Sequence, residues 1–413
     1  MSRRSFFLII LVLIIGGVLF SVISFAQSRN IDDFVIPEYG DISSSTDSII
    51  KETKKAVHLK TPKPLKAIYM TSCVAGTPSL RNGLVQLIEE TELNSVVIDI
   101  KDYSGSISID LKDPALKALA IKNCFVADME EFIKELHSKN IYVIGRVTVF
   151  QDPNLATKKP ELAVKRASDG VIWSDRKGLH FTDVGAKDVW DYHVDIAKEA
   201  YAIGFDEINF DYIRFPSDGN MKDIYFPFSD GRDKPVVLEE FFAYLNQELK
   251  PIGLVLSADL FGMTASNFDD LGIGQVLERA MPYFDYIAPM VYPSHYPPQF
   301  NGWADPNAVP YDIIKFSMDK AIERTIATSS VIAILGSEKV ASTTPALFTK
   351  ESYDKNKIRP WLQDFDYPVP YTSEMVKTQI EATYDAGLDS WMLWDPSNKY
   401  TRSALELVPV SLE

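Results

Sequence analysis

The feature that most constrains the fold is an alternation of short β-rich runs with amphipathic segments, which begins near Lys66. Such alternation is typical of a parallel sheet covered by helices. Eight β-rich runs occur, and eight parallel strands can close into a barrel. We therefore predict an α/β fold, a (β/α)8 TIM barrel. The predicted strands are Ala67–Ser72, Ser95–Asp102, Ile141–Phe150, Glu207–Phe215, Val255–Gly262, Tyr286–Pro293, Lys357–Asp364 and Ser390–Pro396.

The segments between these strands are predicted to be helices. A competing β-like run, Val331–Gly336, makes the seventh strand the least defined of the eight. Two long insertions, Gln151–Thr182 and Ser217–Pro235, follow the third and fourth strands and should wall a groove on the catalytic face. The predicted helices are Ser79–Glu92, Val126–Asn140, Gly185–Ile203, Val236–Pro251, Leu271–Tyr283, Asn307–Ser330 and Thr372–Ala386.

The N-terminal residues have the composition of an export signal. Residues 1–27 contain Arg3 and Arg4 followed by an apolar run from Phe6 to Phe25, which fits either a cleaved signal peptide or a signal anchor. Residues 28–64 are predicted to be a polar linker, residues 65–400 the barrel and residues 401–413 a C-terminal tail. We expect an exported protein, extracellular or in the cell envelope, held by a single transmembrane helix if the signal is not cleaved.

Composition argues against several classes of function. With 57 acidic and 42 basic residues the formal net charge is −15, which does not suit a nucleic-acid-binding protein. The five histidines are scattered and form no metal-binding motif, so we predict neither a metal nor another cofactor. Two cysteines, Cys73 and Cys124, could form one disulfide or remain two buried thiols.

The stretch from Gly204 to Pro216 carries the strongest functional signal. Gly204 should end a helix, and the strand after it should turn Ile208 and Phe210 towards the helices. Asn209 and Asp211 would then face the barrel interior, where a carboxylate is costly unless it has a role. An Asp at the carboxyl end of a barrel strand lies where such folds place their chemistry. Alternatively, Asp211 only ties down its own loop through Arg214.

Polar and aromatic residues also mark the other strand ends, and a barrel would bring them to one face. We predict Asp211 and Asp259 as catalytic residues, with Asp211 the nucleophile that nearby arginines keep ionised. Asp99, Asp102 and Asp395 are rivals for the acid/base role. In the alternative interpretation the charged residues form a structural ion-pair ring and the aromatic residues plug the barrel. The predicted substrate-binding residues are Asp99, Lys101, Asp102, Arg146, Tyr212, Arg214, Tyr292, Trp361, Trp394 and Asp395.

Three motifs resemble a known family. They are Gly204-Phe-Asp-Glu-Ile-Asn-Phe-Asp-Tyr-Ile-Arg-Phe-Pro216, Ala67-Ile-Tyr-Met-Thr-Ser72 and Val97-Ile-Asp-Ile-Lys-Asp102. They resemble the bacterial "putative glycosyl hydrolase domain" family, DUF4015, over about Leu65 to Asn398. The resemblance implies a TIM barrel related to glycoside hydrolases.

Similarity to α-amylase-like barrels extends the comparison to single positions. Asp211 matches the nucleophile of strand four, and Asp259 falls on strand five, where those barrels carry the acid. Those enzymes have Glu on strand five and Arg two residues before the nucleophile, whereas this chain has Asp259 and Asn209.

The predicted function is hydrolysis of glycosidic bonds in an extracellular or cell-envelope polysaccharide by a pair of carboxyl groups. Two alternatives remain at this stage. The first is a non-catalytic barrel that binds glycan as a scaffold, and the second is a metal-dependent glycan deacetylase. Expected partners are a polysaccharide or oligosaccharide and, if the N-terminal segment is not cleaved, a membrane.

Overall fold

Eight parallel strands close into a barrel, as predicted. The computed structural model describes residues 56–326 and 352–408. Each strand pairs with the next in sequence, and the last pairs with the first. The strands are β1 Lys66–Met70, β2 Ser95–Lys101, β3 Tyr142–Thr148, β4 Glu207–Asp211, β5 Val255–Phe261, β6 Tyr286–Met290, β7 Trp361–Gln363 and β8 Trp391–Trp394. The barrel therefore uses Trp361–Gln363 as its seventh strand, while the competing Val331–Gly336 lies outside the described residues.

Helices follow the strands and cover the barrel. The described residues form α1 Ser72–Ala75, α2 Pro78–Glu90, α3 Pro114–Leu119, α4 Met129–Ser138, α5 Pro153–Lys158, α6 Lys187–Ile203, α7 Lys234–Leu249, α8 Leu277–Ala280, α9 Pro310–Thr325 and α10 Ser373–Asp385.

One predicted helix, Leu271–Tyr283, is wrong over its first half. Asp270 accepts hydrogen bonds from the backbone N–H groups of Gly272 and Gly274 at 3.0 and 3.1 Å. Both glycines have positive φ, 70° and 86°. These local side-chain bonds favour a loop over a helix, so that only α8 remains helical.

The two faces of the strands carry different residues, as the pattern predicted. Gly204 ends α6 with φ 119°, which confirms the expected helix stop. On β4, Ile208 and Phe210 are fully buried in the apolar core between the barrel and its helices. A separate apolar cluster, which includes Leu65, Ala67 and Val97, fills the barrel interior. The alternation of side chains along β4 turns Asn209 and Asp211 to this interior.

Polar contacts close the N-terminal end of the barrel. The Leu59 N–H donates to Asp206 Oδ1 at 2.7 Å. Inside the barrel, Glu207 forms a fully buried ion pair with Arg359 and accepts a hydrogen bond from the Tyr142 hydroxyl at 3.2 Å. Residues directly before the predicted domain start at residue 65 therefore contact the barrel.

The two long insertions pack on each other. Lys165–Arg166 of the first forms a short antiparallel ribbon with Ile224–Tyr225 of the second. The indole of Trp173 donates to the carbonyl of Asn220 at 3.1 Å. Together the insertions form one small unit, and Lys177 of the first lines a polar depression beside the barrel mouth.

Cys73 and Cys124 form a disulfide bond, the first of the two alternatives considered for them. No helix among residues 56–326 and 352–408 is long and apolar enough to cross a membrane. The predicted signal or anchor, residues 1–27, lies outside the described residues.

Candidate active site

Arg146 on β3 is the centre of a cluster of carboxyl groups at the carboxyl end of the barrel. Its Nε and Nη2 donate to Asp211 Oδ2 at 3.1 and 2.5 Å. Its Nη1 donates to Asp99 Oδ1 at 2.6 Å, and its Nε lies 3.9 Å from Asp259 Oδ2. One guanidinium from β3 thus holds carboxyl groups from β2, β4 and β5, which sequence analysis expected to converge.

Asp259 lies in an environment that favours its protonated form. Its Oδ1 accepts hydrogen bonds from Asn209 Nδ2 at 2.9 Å and from the Trp361 indole at 2.7 Å. The side chain is only 1% exposed. Burial and the nearby charge of Asp211 raise the pKa of Asp259 to about 8. Since Oδ1 receives two N–H donors, a proton at neutral pH belongs on Oδ2.

Three buried polar atoms belonging to this site have no hydrogen-bond partner among the described residues. They are Asn209 Oδ1, Asp259 Oδ2 and the Tyr292 hydroxyl. Buried polar groups are nearly always paired in folded proteins, so a group of orphans calls for an explanation. Of the three residues, Tyr292 lines the cavity at the barrel mouth, where a polar substrate would pair with its hydroxyl.

Aromatic rings surround the guanidinium. Trp394 stacks on Tyr69 with ring centroids 3.9 Å apart, and the Arg146 guanidinium carbon lies 4.9 Å from the Trp394 ring centre. The Tyr69 hydroxyl donates to Asp99 Oδ2. Burial raises the pKa of Asp99 although Arg146 opposes that shift. These contacts hold Arg146 in one orientation for its carboxyl partners.

A cavity of about 280 Å³ opens above this cluster. Asp211, Arg146 and Arg214 supply charge to its wall. Tyr212 has φ 52°, a left-handed conformation rare for a tyrosine, and its backbone N–H donates to Asp211 Oδ1 at 2.6 Å. This turn orients the Asp211 carboxylate at the base of the cavity. The remaining lining residues are Tyr212, Phe261, Gly262, Met263, Gln275, Met290, Tyr292, His295, Tyr296 and Trp394.

Of the predicted aromatic residues, Tyr212, Tyr292 and Trp394 reach the cavity wall. Trp361 is fully buried below it, where its indole binds Asp259. The prediction that Trp361 touches substrate is therefore replaced by a role in holding a carboxyl group.

Lys101 does not join the site, which corrects its predicted grouping with Asp99. The strand pairing shifts between Asp99 and Lys101, an irregularity that places them on different faces of β2. Lys101 Nζ instead pairs with Asp152 Oδ2 at 2.9 Å and donates to the Thr148 carbonyl at 2.7 Å. Its buried ion pair stabilises the loop after β3.

Asp102 and Asp395 stabilise loops. Asp102 Oδ1 accepts from the N–H and hydroxyl of Ser104 at 2.8 and 2.6 Å. Asp395 Oδ1 accepts from the N–H and hydroxyl of Ser397 at 2.6 and 2.7 Å. Both carboxylates accept hydrogen bonds within tight local turns, and these contacts do not support the predicted alternative role of either residue as the acid/base.

Arg214 lines the cavity but forms no ion pair with Asp211, contrary to its expected contact. Arg146 alone performs that pairing.

Sequence reasoning missed Tyr69 and His295. Tyr69 is fixed by Asp99, while His295 lines the cavity. The inward alternation along β1 could have identified Tyr69, since Ala67 and Tyr69 share a face. His295 lies in an irregular segment after β6 and gave no comparable signal.

A closed eight-stranded β/α barrel with carboxyl groups on adjacent strand ends is an architecture typical of glycoside hydrolases. Residues 67–400 match the model of the family DUF4015, described as "Putative glycosyl hydrolase domain". Because the match spans most of the chain, the protein belongs to this family and carries a glycosyl-hydrolase-like domain.

A solved structure has a similar fold. The PgaB (BpsB) glycoside hydrolase domain from Bordetella bronchiseptica is 12% identical, with 84% of this chain and 100% of that chain covered and a TM-score of 0.55. This similarity supports the shared barrel fold.

Two further structures are similar to the chain. A hypothetical protein from Ruminiclostridium thermocellum ATCC 27405 is 41% identical over 46% of this chain and 96% of its own, with a TM-score of 0.43. TtGalA, an α-galactosidase from Thermus thermophilus, is 12% identical over 84% of this chain and 60% of its own, with a TM-score of 0.46. Among curated proteins, none matches the chain significantly.

Proposed function

We propose that this protein hydrolyses glycosidic bonds in a polysaccharide outside the cytoplasm, with Asp211 and Asp259 as its catalytic carboxyl groups. The observation that carries the proposal is their unequal environment around Arg146. Asp211 receives two N–H bonds from the guanidinium, which favours a carboxylate, whereas Asp259 is buried with a raised pKa. Glycosidic hydrolysis needs one ionised and one protonated carboxyl group.

The roles follow from these environments. Asp259 donates the proton on Oδ2 to the glycosidic oxygen as the bond to the anomeric carbon breaks. Asp211 attacks that carbon and forms a glycosyl ester. Water then attacks the ester and loses its proton to the ionised Asp259, which restores both carboxyl groups.

A second candidate is a barrel that binds glycan without cleaving it. The observation that favours it is the position of Asp259, which is 1% exposed and lies beneath the cavity wall that Asp211 reaches. The metal-dependent deacetylase has less support. No three His, Cys, Asp or Glu side chains within residues 56–326 and 352–408 form a group that could hold a metal ion.

The proposed setting outside the cytoplasm has two supports. The first is the apolar run from Phe6 to Phe25 after Arg3 and Arg4. The second is the disulfide between Cys73 and Cys124, a bond that persists in oxidising compartments. Polysaccharides of the envelope or surroundings are the substrates available there.

The test is release of reducing ends from a panel of bacterial polysaccharides. Asp211→Asn should lower the rate at least about a thousandfold, and Asp259→Asn about a hundredfold to ten-thousandfold. The parent rate should fall as pH rises through about 8, where Asp259 loses its proton. Asp305→Asn is the matched control, because the exposed Asp305 Oδ1 accepts bonds from the backbone N–H and the side-chain amide of Asn307, and an asparagine oxygen can do the same.

Each outcome has a distinct meaning. Full activity in folded Asp211→Asn would refute its catalytic role. Binding of a glycan by the parent, with no product from any member of the panel, would replace hydrolysis by the non-catalytic candidate.

A further inference from the structure

Arg214 differs from every other arginine in the described part of the chain. Ten arginines lie within residues 56–326 and 352–408, and the other nine form ion pairs with Asp or Glu side chains. Arg214 has no carboxylate partner there. Even the strongly exposed Arg176 pairs with Asp218 at 3.2 Å. The unpaired guanidinium also lies in the wall of the candidate active site.

The contacts of Arg214 orient it and leave part of its fork unused. Nη1 donates to the Phe215 carbonyl at 3.1 Å and to Ser217 Oγ at 3.3 Å. Nε and Nη2 donate to no described residue. The rings of Tyr212 and Phe261 lie 5.5 and 5.2 Å from the guanidinium carbon. Two aromatic faces and one anchored nitrogen thus hold a planar cation at the cavity with N–H groups to spare.

A guanidinium in this state is suited to a particular ligand chemistry. Its fork matches the two oxygens of a carboxylate, or those of a sulfate or phosphate ester, through paired hydrogen bonds. Burial opposes the charged form and lowers the pKa of Arg214, so an anion beside it would recover that cost. Asp211, Asp175 and Asp218 favour the charged form of Arg214 through space, but a neutral sugar would leave the guanidinium with no anion in direct contact.

Because the protein as a whole is acidic, only a short-range contact such as that of Arg214 can favour an anionic sugar. The net charge of −15 repels a polyanion in general, but repulsion between exposed charges is screened beyond about 10 Å at 0.1 M salt. Discrimination in favour of an anionic sugar must therefore come from a local cation.

We propose that Arg214 is a specificity-determining residue that binds an anionic substituent, a carboxylate or an ester sulfate or phosphate, on the glycan in this cavity. The inference deepens the proposed function and rests on it for the glycan class. The substrate is then an acidic polysaccharide, and Arg214 selects the charged sugar unit while Asp211 and Asp259 act on the bond.

The experiment measures binding, so that it does not depend on cleavage. The full-length protein carrying Asp211→Asn is titrated calorimetrically with oligoglucuronates, with the same oligosaccharides after reduction of their carboxyl groups, and with sulfate-esterified and phosphate-esterified neutral oligosaccharides. Arg214→Gln and Arg214→Lys are compared in that background. Arg176→Gln removes one exposed positive charge from the neighbouring insertion and is the matched control.

At least one anionic ligand should bind more tightly than its neutral counterpart. Arg214→Gln should weaken that binding about tenfold to a hundredfold and leave the neutral ligand within about twofold. Arg214→Lys keeps the positive charge without the forked guanidinium, so its affinity for the anionic ligand should lie between those of the parent and Arg214→Gln. Arg176→Gln should change neither the affinity for the anionic ligand nor that for the neutral ligand. The preferred ligand distinguishes a carboxylate from a sulfate or phosphate ester.

Two results would overturn the inference. One is a parent that binds no anionic ligand better than its neutral form. The other is an equal loss for charged and neutral ligands in Arg214→Gln, which would assign Arg214 to holding the Phe215–Ser217 loop. Cleavage of anionic glycans with unchanged kinetics in Arg214→Gln would refute this inference alone. Selective binding without cleavage would instead refute only the hydrolytic function.

Discussion

Asp259→Asn should stabilise the protein at neutral pH while it removes the proposed acid. Burial and the charge of Asp211 raise the pKa of Asp259 from 3.8 to about 8. Between these values the folded state holds a proton that the unfolded state has released. The stabilisation from this group is fully present below about pH 4 and is lost as pH rises towards 8. An asparagine needs no proton and can still accept the bonds from Asn209 and Trp361.

The magnitude follows from the linkage relation. A single group that titrates in this way lowers the free energy of unfolding by up to about 1.4 kcal/mol per pH unit. The stability advantage of Asp259→Asn over the parent should therefore grow by up to about 3 kcal/mol between pH 5 and 7. It should stop growing above about pH 8, where both states of the parent are ionised.

The assay is urea unfolding followed by far-UV circular dichroism at pH 5, 6, 7 and 8, with the disulfide intact. Ser257→Ala is the control, because it removes an acceptor of Asn209 Nδ2 at 3.2 Å without removing a titratable group. Its effect should be the same at every pH. If the advantage of Asp259→Asn is equally independent of pH, Asp259 does not hold a proton in the folded protein and the acid assignment fails.

Two further predictions concern stability away from the carboxyl cluster. Glu207→Ala leaves the Arg359 guanidinium buried without its carboxylate partner and should lower the free energy of unfolding by about 3–5 kcal/mol. KM should not change, because this ion pair lies at the other end of the barrel from the candidate active site. Urea unfolding and kinetics on one preparation test both points, and a loss of stability below about 1 kcal/mol would contradict the prediction. Removing the disulfide, by Cys73→Ser with Cys124→Ser, opens a loop closed across 51 residues and should cost about 4 kcal/mol. Unfolding curves that coincide for the parent with and without reductant would count against that estimate.

The barrel could be predicted because each part of the pattern has a direct physical cause. Alternation along β4 separates Ile208 and Phe210 from Asn209 and Asp211, and the glycine at 204 has the positive φ that a helix end requires. Parallel strands place their carboxyl ends together, so the meeting of carboxyl groups around Arg146 also followed from the sequence.

The errors arise where local contacts override the pattern. Alternation along β2 assigns the side chains of Asp99 and Lys101 to the same face. The shift in strand pairing between them turns the Lys101 side chain to the opposite face, where it pairs with Asp152. The sequence does contain a signal for the turn role of Asp102 and Asp395. Each begins an Asp-x-Ser sequence, the pattern of a turn in which the carboxylate binds the backbone two residues on.

The balance of charges around Arg146 explains the protonation of the site. Asp99, Asp211 and Asp259 surround a single guanidinium, that of Arg146, so one positive charge faces three buried carboxyl groups. Such a set cannot be fully ionised without a large cost. Asp211 Oδ2 takes two N–H bonds from Arg146, while Asp259 Oδ2 takes none and has no other partner among the described residues, so Asp259 is the group that keeps its proton.

Asn209 is the residue that preserves this imbalance. Its side-chain amide gives Asp259 Oδ1 a neutral N–H donor at 2.9 Å. A second guanidinium there would pair with Asp259 and ionise it, which would remove the proton that cleavage of a glycosidic bond requires. Because the Asn209 amide is neutral, Arg146 is the one cation among the described side chains of this cluster. Asp211 takes two of its N–H bonds and is ionised, while Asp259 takes none and keeps its proton.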